Sequence, residues 1–137
     1  AHPCGASQLG RNALLAACAA TLGIHTIAPH EEGLTRANVG VLQCGQVTNT
    51  IPSHAHMELE YRSTTQAGTA YLRERVEEII SGSGQTYGVT YAIKDYGTSP
   101  AAKGDPELMR IAAQAAASSR LITVDQPSLV VGALLQR

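Results

Sequence analysis

The sequence predicts an α+β fold, an antiparallel sheet with two helices on one face in the ferredoxin-like split βαβ arrangement. Two observations carry this expectation. Residues 56–62 and 87–93 alternate apolar and polar with period two, and residues 14–22 and 72–80 carry apolar side chains at helical spacing. The order is helix, strand, strand, helix, strand, helix; with a strand set before Ala1 the first five become βαββαβ, and the last is an extra C-terminal helix. That first strand is apparently missing from the 137 residues. Upstream residues of a parent protein would fill its place, or the apolar tail at 121–124 or 129–135 would, and the residues leave both open.

Each element has its own warrant. From Asn12 the chain turns to Ala and Leu. Leu14, Cys18 and Leu22 fall at i, i+4 and i+8 with Leu15 and Ala19 beside them, a stripe expected to face the core. Pro29 stops this first helix. Asn38 to Gln43 reads as a strand with Val39 and Val41 on one face. Cys44 to Pro52 is a loop by its Gly, Asn and Pro content. Pro52 cannot donate to a central ladder, so the next strand starts after it. From His56 to Arg62, Met57, Leu59 and Tyr61 face one side and Glu58, Glu60 and Arg62 the other, giving one buried and one wetter face. Thr65 to Ser81 is the second helix, with Leu72, Val76, Ile79 and Ile80 as its stripe and a solvated charged face. Gly82-Ser83-Gly84 is expected to end it. Tyr87, Val89, Tyr91 and Ile93 then alternate as a third strand. Asp105-Pro106 joins an N-cap to proline at the first helical position and opens a third helix. An apolar tail from Leu121 to Arg137 is ambiguous between strand and helix.

Composition narrows the function classes. Ten Lys+Arg against eleven Asp+Glu give a net charge of -1, which argues against a basic nucleic-acid face. The chain has no Phe, no Trp and five Tyr, so platforms for stacked bases are scarce. No run approaches a membrane span, and no basic segment followed by an apolar one opens the chain as a signal peptide. Cys4, Cys18 and Cys44 are an odd set without CxxC spacing, which reads as idle thiols in the cytoplasm.

Few residues suggest chemistry. His54 and His56 share a strand face at a spacing that chelates metals, but no third ligand is near. Paired glutamates, Glu31-Glu32, suit metallohydrolase work, in which one carboxylate holds the ion and another handles the proton. Further ligands at matching spacing are absent, so this pair reads as a solvated loop. His25 suits a helix C-terminus. Three other residues stand where they could converge on an anion: His2 before the first helix, Asn49 in the loop between strands, and Arg62 at a strand end. The alternative is three unrelated surface groups.

One combination is more specific. Ala1-His2, then Gly10-Arg11-Asn12-Ala13-Leu14-Leu15-Ala16-Ala17, then Val39-Gly40-Val41-Leu42 with Gly45, Asn49-Thr50-Ile51-Pro52 and an alternating strand ending at Arg62 resemble one family. It is the di-zinc aminoacylase and carboxypeptidase family of amidohydrolases, and the likeness, over roughly residues 1 to 125, is to its inserted lid or dimerisation domain. The resemblance implies a lid over residues 1–104 and a helix and tail, 105–137, returning to a catalytic domain that is absent here. It implies a homodimer formed through the lid, and zinc or manganese held by the catalytic domain, with no cofactor in this chain. His2 is similar to the lid histidine that steadies an oxyanion in trans. Asn49 and Arg62 are similar to residues that hold the substrate's carboxylate side. Such fixed donors suit resident or developing negative charge. Glu31-Glu32-Gly33 mimics the family's catalytic Glu-Glu-Gly but lies inside the lid, so that role is not carried over.

The expectation is therefore an excised lid from an enzyme that cleaves the amide bond of an N-acyl or N-aroyl amino acid, inactive alone, binding neither nucleic acid nor membrane. The rival reading is a stand-alone small-molecule sensor of the same shape.

Overall fold

The computed structural model describes residues 10–100 and 104–118. The chain forms two compact units that divide between Ala101 and Ala102. The first contains helix α1 (Ala13–His25), strands β1 (Thr35–Cys44) and β2 (Ala55–Ser63), and helix α2 (Gln66–Tyr87). The second contains helix α3 (Pro106–Ser118). The α+β class is as expected. The tail from Leu121 onward lies outside the described residues.

Asn12 starts α1. Its side-chain oxygen accepts the amides of Leu14 (3.0 Å) and Leu15 (3.3 Å), two donors that the first turn otherwise leaves unpaired. The helix does not bury the expected stripe. It buries Ala13, Ala16, Ala20 and Ile24 instead. Leu15 stays 47% exposed and Leu22 70% exposed, on the face opposite the alanines. The reason is closeness of approach. A Cβ on Gly23 would come within 2.7 Å of Ile79 on α2, so the two helices meet where small residues permit. A helix that is apolar all round can bury only one side, and here the small side fits.

β1 and β2 pair antiparallel, longer by a residue or more at each end than the alternation predicts. A bulge at Gly40 changes the phase of β1. Val39 stands opposite Leu59, but Val41 stands opposite Glu58 and Leu42 opposite Met57. Val39 and Val41 are both half-buried, yet their partners across the ladder belong to opposite faces of β2. The extra residue re-aims everything after it.

Thr65 caps α2, its hydroxyl accepting the Gly68 amide at 3.1 Å. The helix runs past Gly82-Ser83-Gly84, where the sequence predicts its end, and stops at Gly88, whose φ of 64° is the left-handed conformation that glycine adopts freely. Gly88 N–H donates to Gln85 and Val89 N–H to Gly84, which satisfies the last carbonyls. Gly84 serves packing: a Cβ there would lie 3.0 Å from the Tyr91 ring. The predicted third strand is absent. Tyr87 belongs to α2, and residues 89–95 pair with no strand among the described residues. A strand needs a hydrogen-bonded neighbour, and in the split βαβ order the last strand's neighbour is the first, which no described residue supplies. The segment is instead held against α2 by Tyr91 beside Gly84 and by Arg73, which donates to both Glu77 (3.0 Å) and Asp95 (2.9 Å).

The core is small: Ala13, Ala16, Ala20, Ile24, Leu72 and Val76, with Ile24 and Leu72 each 1% exposed. In the second unit, Asp105 accepts the amides of Glu107 (2.9 Å) and Leu108 (3.0 Å), the cap expected there.

Leu72→Ala is expected to lower unfolding free energy by about 2–5 kcal/mol, whereas Leu22→Ala changes it by less than about 0.5 kcal/mol; urea denaturation of dilute protein reads both. Burial, aided by Asp95 and Glu77 and opposed by Arg73, raises the Tyr61 phenol above its ordinary value of 10.0. The neutral phenol is then the form the fold favours. Its contribution is present below pH 10 and is lost as pH climbs through the raised value. Ultraviolet titration should show a late-ionising tyrosine that Tyr61→Phe removes.

Candidate functional site

The hairpin β1–β2 turns one face to α1 and α2 and presents a polar face on the other side. On that face Arg36 stands opposite Arg62, Asn38 opposite Glu60, and Gln43 opposite His56. Arg62 donates to Glu60 at 2.9 Å, and the His56 ring meets Glu58 at 3.0 Å. The alternation of β2 thus presents His56, Glu58, Glu60 and Arg62 together, as its sequence predicts.

Of the predicted anion-binding residues, Asn49 and Arg62 stand apart within this chain. His2 lies outside the described residues. Asn49 lies exposed in the turn joining β1 to β2. Arg62 is seven residues up β2 from Ala55, at the other end of the hairpin. That is about 23 Å at the rise of a strand. The loop carrying Asn49 is tied to the start of α1, since Ala13 N–H donates to Pro52 O at 3.0 Å. The hairpin therefore has two distinct polar ends, one with Asn49 and one with Arg62.

Arg36 is a candidate that the sequence alone does not single out. Strand β1 begins at Thr35, before the predicted Asn38, and the register then places Arg36 directly opposite Arg62. The available signal is Arg36's even spacing from Asn38, which continues the alternation backward.

The remaining candidates have structural partners. His25 Nε2 accepts the Val39 amide at 3.2 Å, so the end of α1 reaches the side of β1 that points away from β2. His30 Nδ1 accepts the Glu32 amide at 3.0 Å, and Glu32 O accepts the Thr65 hydroxyl at 3.1 Å. The Glu31-Glu32 turn is thereby a folded connection with its carboxylates exposed. His54 precedes β2, and its carbonyl accepts the Cys44 thiol. Among the described residues no three His, Cys, Asp or Glu side chains group to hold a metal ion. The donor set of the described residues does not fit a zinc centre. An open depression of ≈ 560 Å³ between α1 and α2, lined by Gly23, Ile27, Tyr71, Arg75 and Ile79, contains none of the candidate residues. No helix among the described residues is long and apolar enough to cross a membrane.

Comparison with known proteins gives a consistent result. Residues 1–87 match the family described as "Peptidase dimerisation domain". The chain is 37% identical over 129 residues to a p-aminobenzoyl-glutamate hydrolase homolog of Haemophilus influenzae, covering 94% of this chain and 29% of that protein. It is 40% identical over 106 residues to an indole-3-acetyl-aspartic acid hydrolase of Enterobacter agglomerans, covering 77% of this chain and 24% of that one. A crystal structure of an aminobenzoyl-glutamate utilization protein from Klebsiella pneumoniae shares the fold with a TM-score of 0.75 and 38% identity, over 85% of this chain and 30% of that chain. The chain thus spans under a third of the length of these relatives.

Because no ligand set is assembled among the described residues, EDTA is expected to leave the thermal midpoint of the purified chain unchanged. A fall of several degrees would reveal a structural metal.

Proposed function

The chain belongs to the peptidase dimerisation domain family, a membership that implies self-association, and from that premise we propose that it is the lid of a zinc-dependent amidohydrolase. Such an enzyme would cleave the amide bond of an N-acyl or N-aroyl amino acid such as p-aminobenzoyl-glutamate. Names of the relatives support the substrate class, since one acts on an acyl-glutamate and another on an acyl-aspartate. Zinc or manganese belongs, in this reading, to a separate catalytic domain.

The observation that carries the reading is the exposed leucine face of α1. Leu15 and Leu22, with Cys18 between them, form an apolar strip that the chain's own core does not use. Apart from Val39, whose amide the His25 ring takes, the edge of β1 away from β2 offers a second contact in the same unit. A second copy of the chain fits both, because a two-fold interface is self-complementary: leucines meet leucines and edge meets edge. Cys18 and Cys44 are free thiols, which suits the cytoplasmic location proposed for the parent enzyme.

In this reading Arg62 meets the substrate's carboxylate through its planar fork, and Asn49 acts on the carboxylate side of a different site. The length of the hairpin supports that division, since a small N-acyl amino acid does not span about 23 Å of strand. Two copies would each supply an Asn49 end to one site and an Arg62 end to the other. His2 would act, as the family's lid histidine does, on the oxyanion in the partner's site.

Sedimentation equilibrium tests the surface. The chain is expected to dimerise, and Leu15→Glu with Leu22→Glu should raise the dissociation constant more than about tenfold. A monomer at high concentration, or a double variant that dimerises as before, would remove the proposal.

A further inference from the structure

We propose that Arg36 reads a second carboxylate of the substrate, so that the Arg36–Arg62 pair selects amides of dicarboxylic amino acids. The inference rests on the reading that Arg62 meets a substrate carboxylate, and adds to it a residue and a specificity.

The pairing of β1 with β2 sets Arg36 and Arg62 directly opposite each other on the exposed face of the hairpin. Directly opposite residues on one face of an antiparallel pair stand about 5 Å apart, and like charges so placed repel. Glu60 relieves only part of this. Its carboxylate bonds with Arg62 from the same strand at 2.9 Å, and it stands opposite Asn38, not Arg36. None of the ion pairs of the described residues involves Arg36. An arrangement that repels itself when empty is the arrangement that gains most when anions arrive. A guanidinium has five N–H donors, more than the Glu60 contact alone uses.

The substrate chemistry matches. A glutamyl or aspartyl amide carries two carboxylates a few bonds apart, a spacing close to that of two opposed strand residues. One carboxylate for Arg62 and the other for Arg36 places the amide bond away from the hairpin. A monocarboxylic substrate would satisfy Arg62 and leave Arg36 without its anion. Lys at position 36 would keep the charge and lose the planar fork.

Titration of the ¹⁵N-labelled 137-residue chain with p-aminobenzoyl-glutamate and p-aminobenzoyl-glutamine, followed by amide shifts, tests this. The two ligands differ only in the second carboxylate. The chain is expected to bind the glutamate compound about fivefold more tightly, a ratio in keeping with a solvent-exposed ion pair. Arg36→Gln should bring the two ligands to equal affinity while leaving the glutamine compound's binding unchanged, and Arg36→Lys should restore part of the preference. A preference that survives Arg36→Gln, or a wild-type chain that does not distinguish the ligands, overturns the role of Arg36 alone. Binding of neither ligand, or binding that Arg62→Gln leaves intact, overturns the carboxylate role of Arg62 and this inference with it. The amide spectrum of each variant reports directly that the fold is kept.

Discussion

α1 lies against α2 and the sheet through side chains of one carbon or none, with Ile24 as the exception. Ala13, Ala16 and Ala20 face inward, and Gly23 admits Ile79 so closely that a methyl group would collide. Close approach lets Ile24 and Leu72 become the two fully covered side chains of a small core. The same constraint turns Leu15 and Leu22 outward. A helix this apolar cannot satisfy all of its surface within one chain of this size, so the choice of the small face as the inner one creates the surface that a second copy would cover. The fold and the proposed association surface thus follow from one packing decision.

The hairpin is the second organising element. Its length separates the Asn49 turn from the Arg62 end, and its register sets Arg36 beside Arg62. Connections around it are tied by short polar contacts: Pro52 O to the start of α1, the His25 ring to the Val39 amide, Thr64 and Thr65 to the turn after α1. These contacts engage the His25 ring and the Thr64 and Thr65 hydroxyls in holding the fold. What remains on the polar face is charge: guanidinium groups at one end, with Glu60 and Glu58 following along β2. In the proposed reading the guanidinium end of the hairpin meets anions, and among the described residues the hairpin lacks clustered ligands for a metal ion.

Much of the fold is legible in local chemistry. Asn12, Thr65 and Asp105 cap helices because their side chains accept amides that nothing else reaches, and the alternation from His56 to Arg62 places β2 with the correct face inward. The departures have physical causes. Gly82-Ser83-Gly84 looks like a helix end because glycine commonly ends helices, but Gly84 is a packing glycine beneath Tyr91, and the left-handed stop is Gly88. Residues 87–93 alternate like a strand, yet alternation records only which faces are apolar and says nothing of whether a partner strand is at hand. The leucine stripe of α1 is one face, as its spacing predicts, but it points outward, since periodicity finds a face and packing decides where it points.

Residue types and their order determined the α+β class, the family, the caps, and the identity of Asn49 and Arg62 as candidates. These depend on interactions within a turn or two of chain, or on motifs read along it. Tertiary structure alone decided that α1 presents its leucines, that a bulge at Gly40 divides the phase of β1, that Asn49 and Arg62 stand at opposite ends of one hairpin, and that Arg36 stands beside Arg62. Each of these depends on register or on the fit of one surface against another, quantities set by contacts between residues far apart in sequence, which no local pattern encodes.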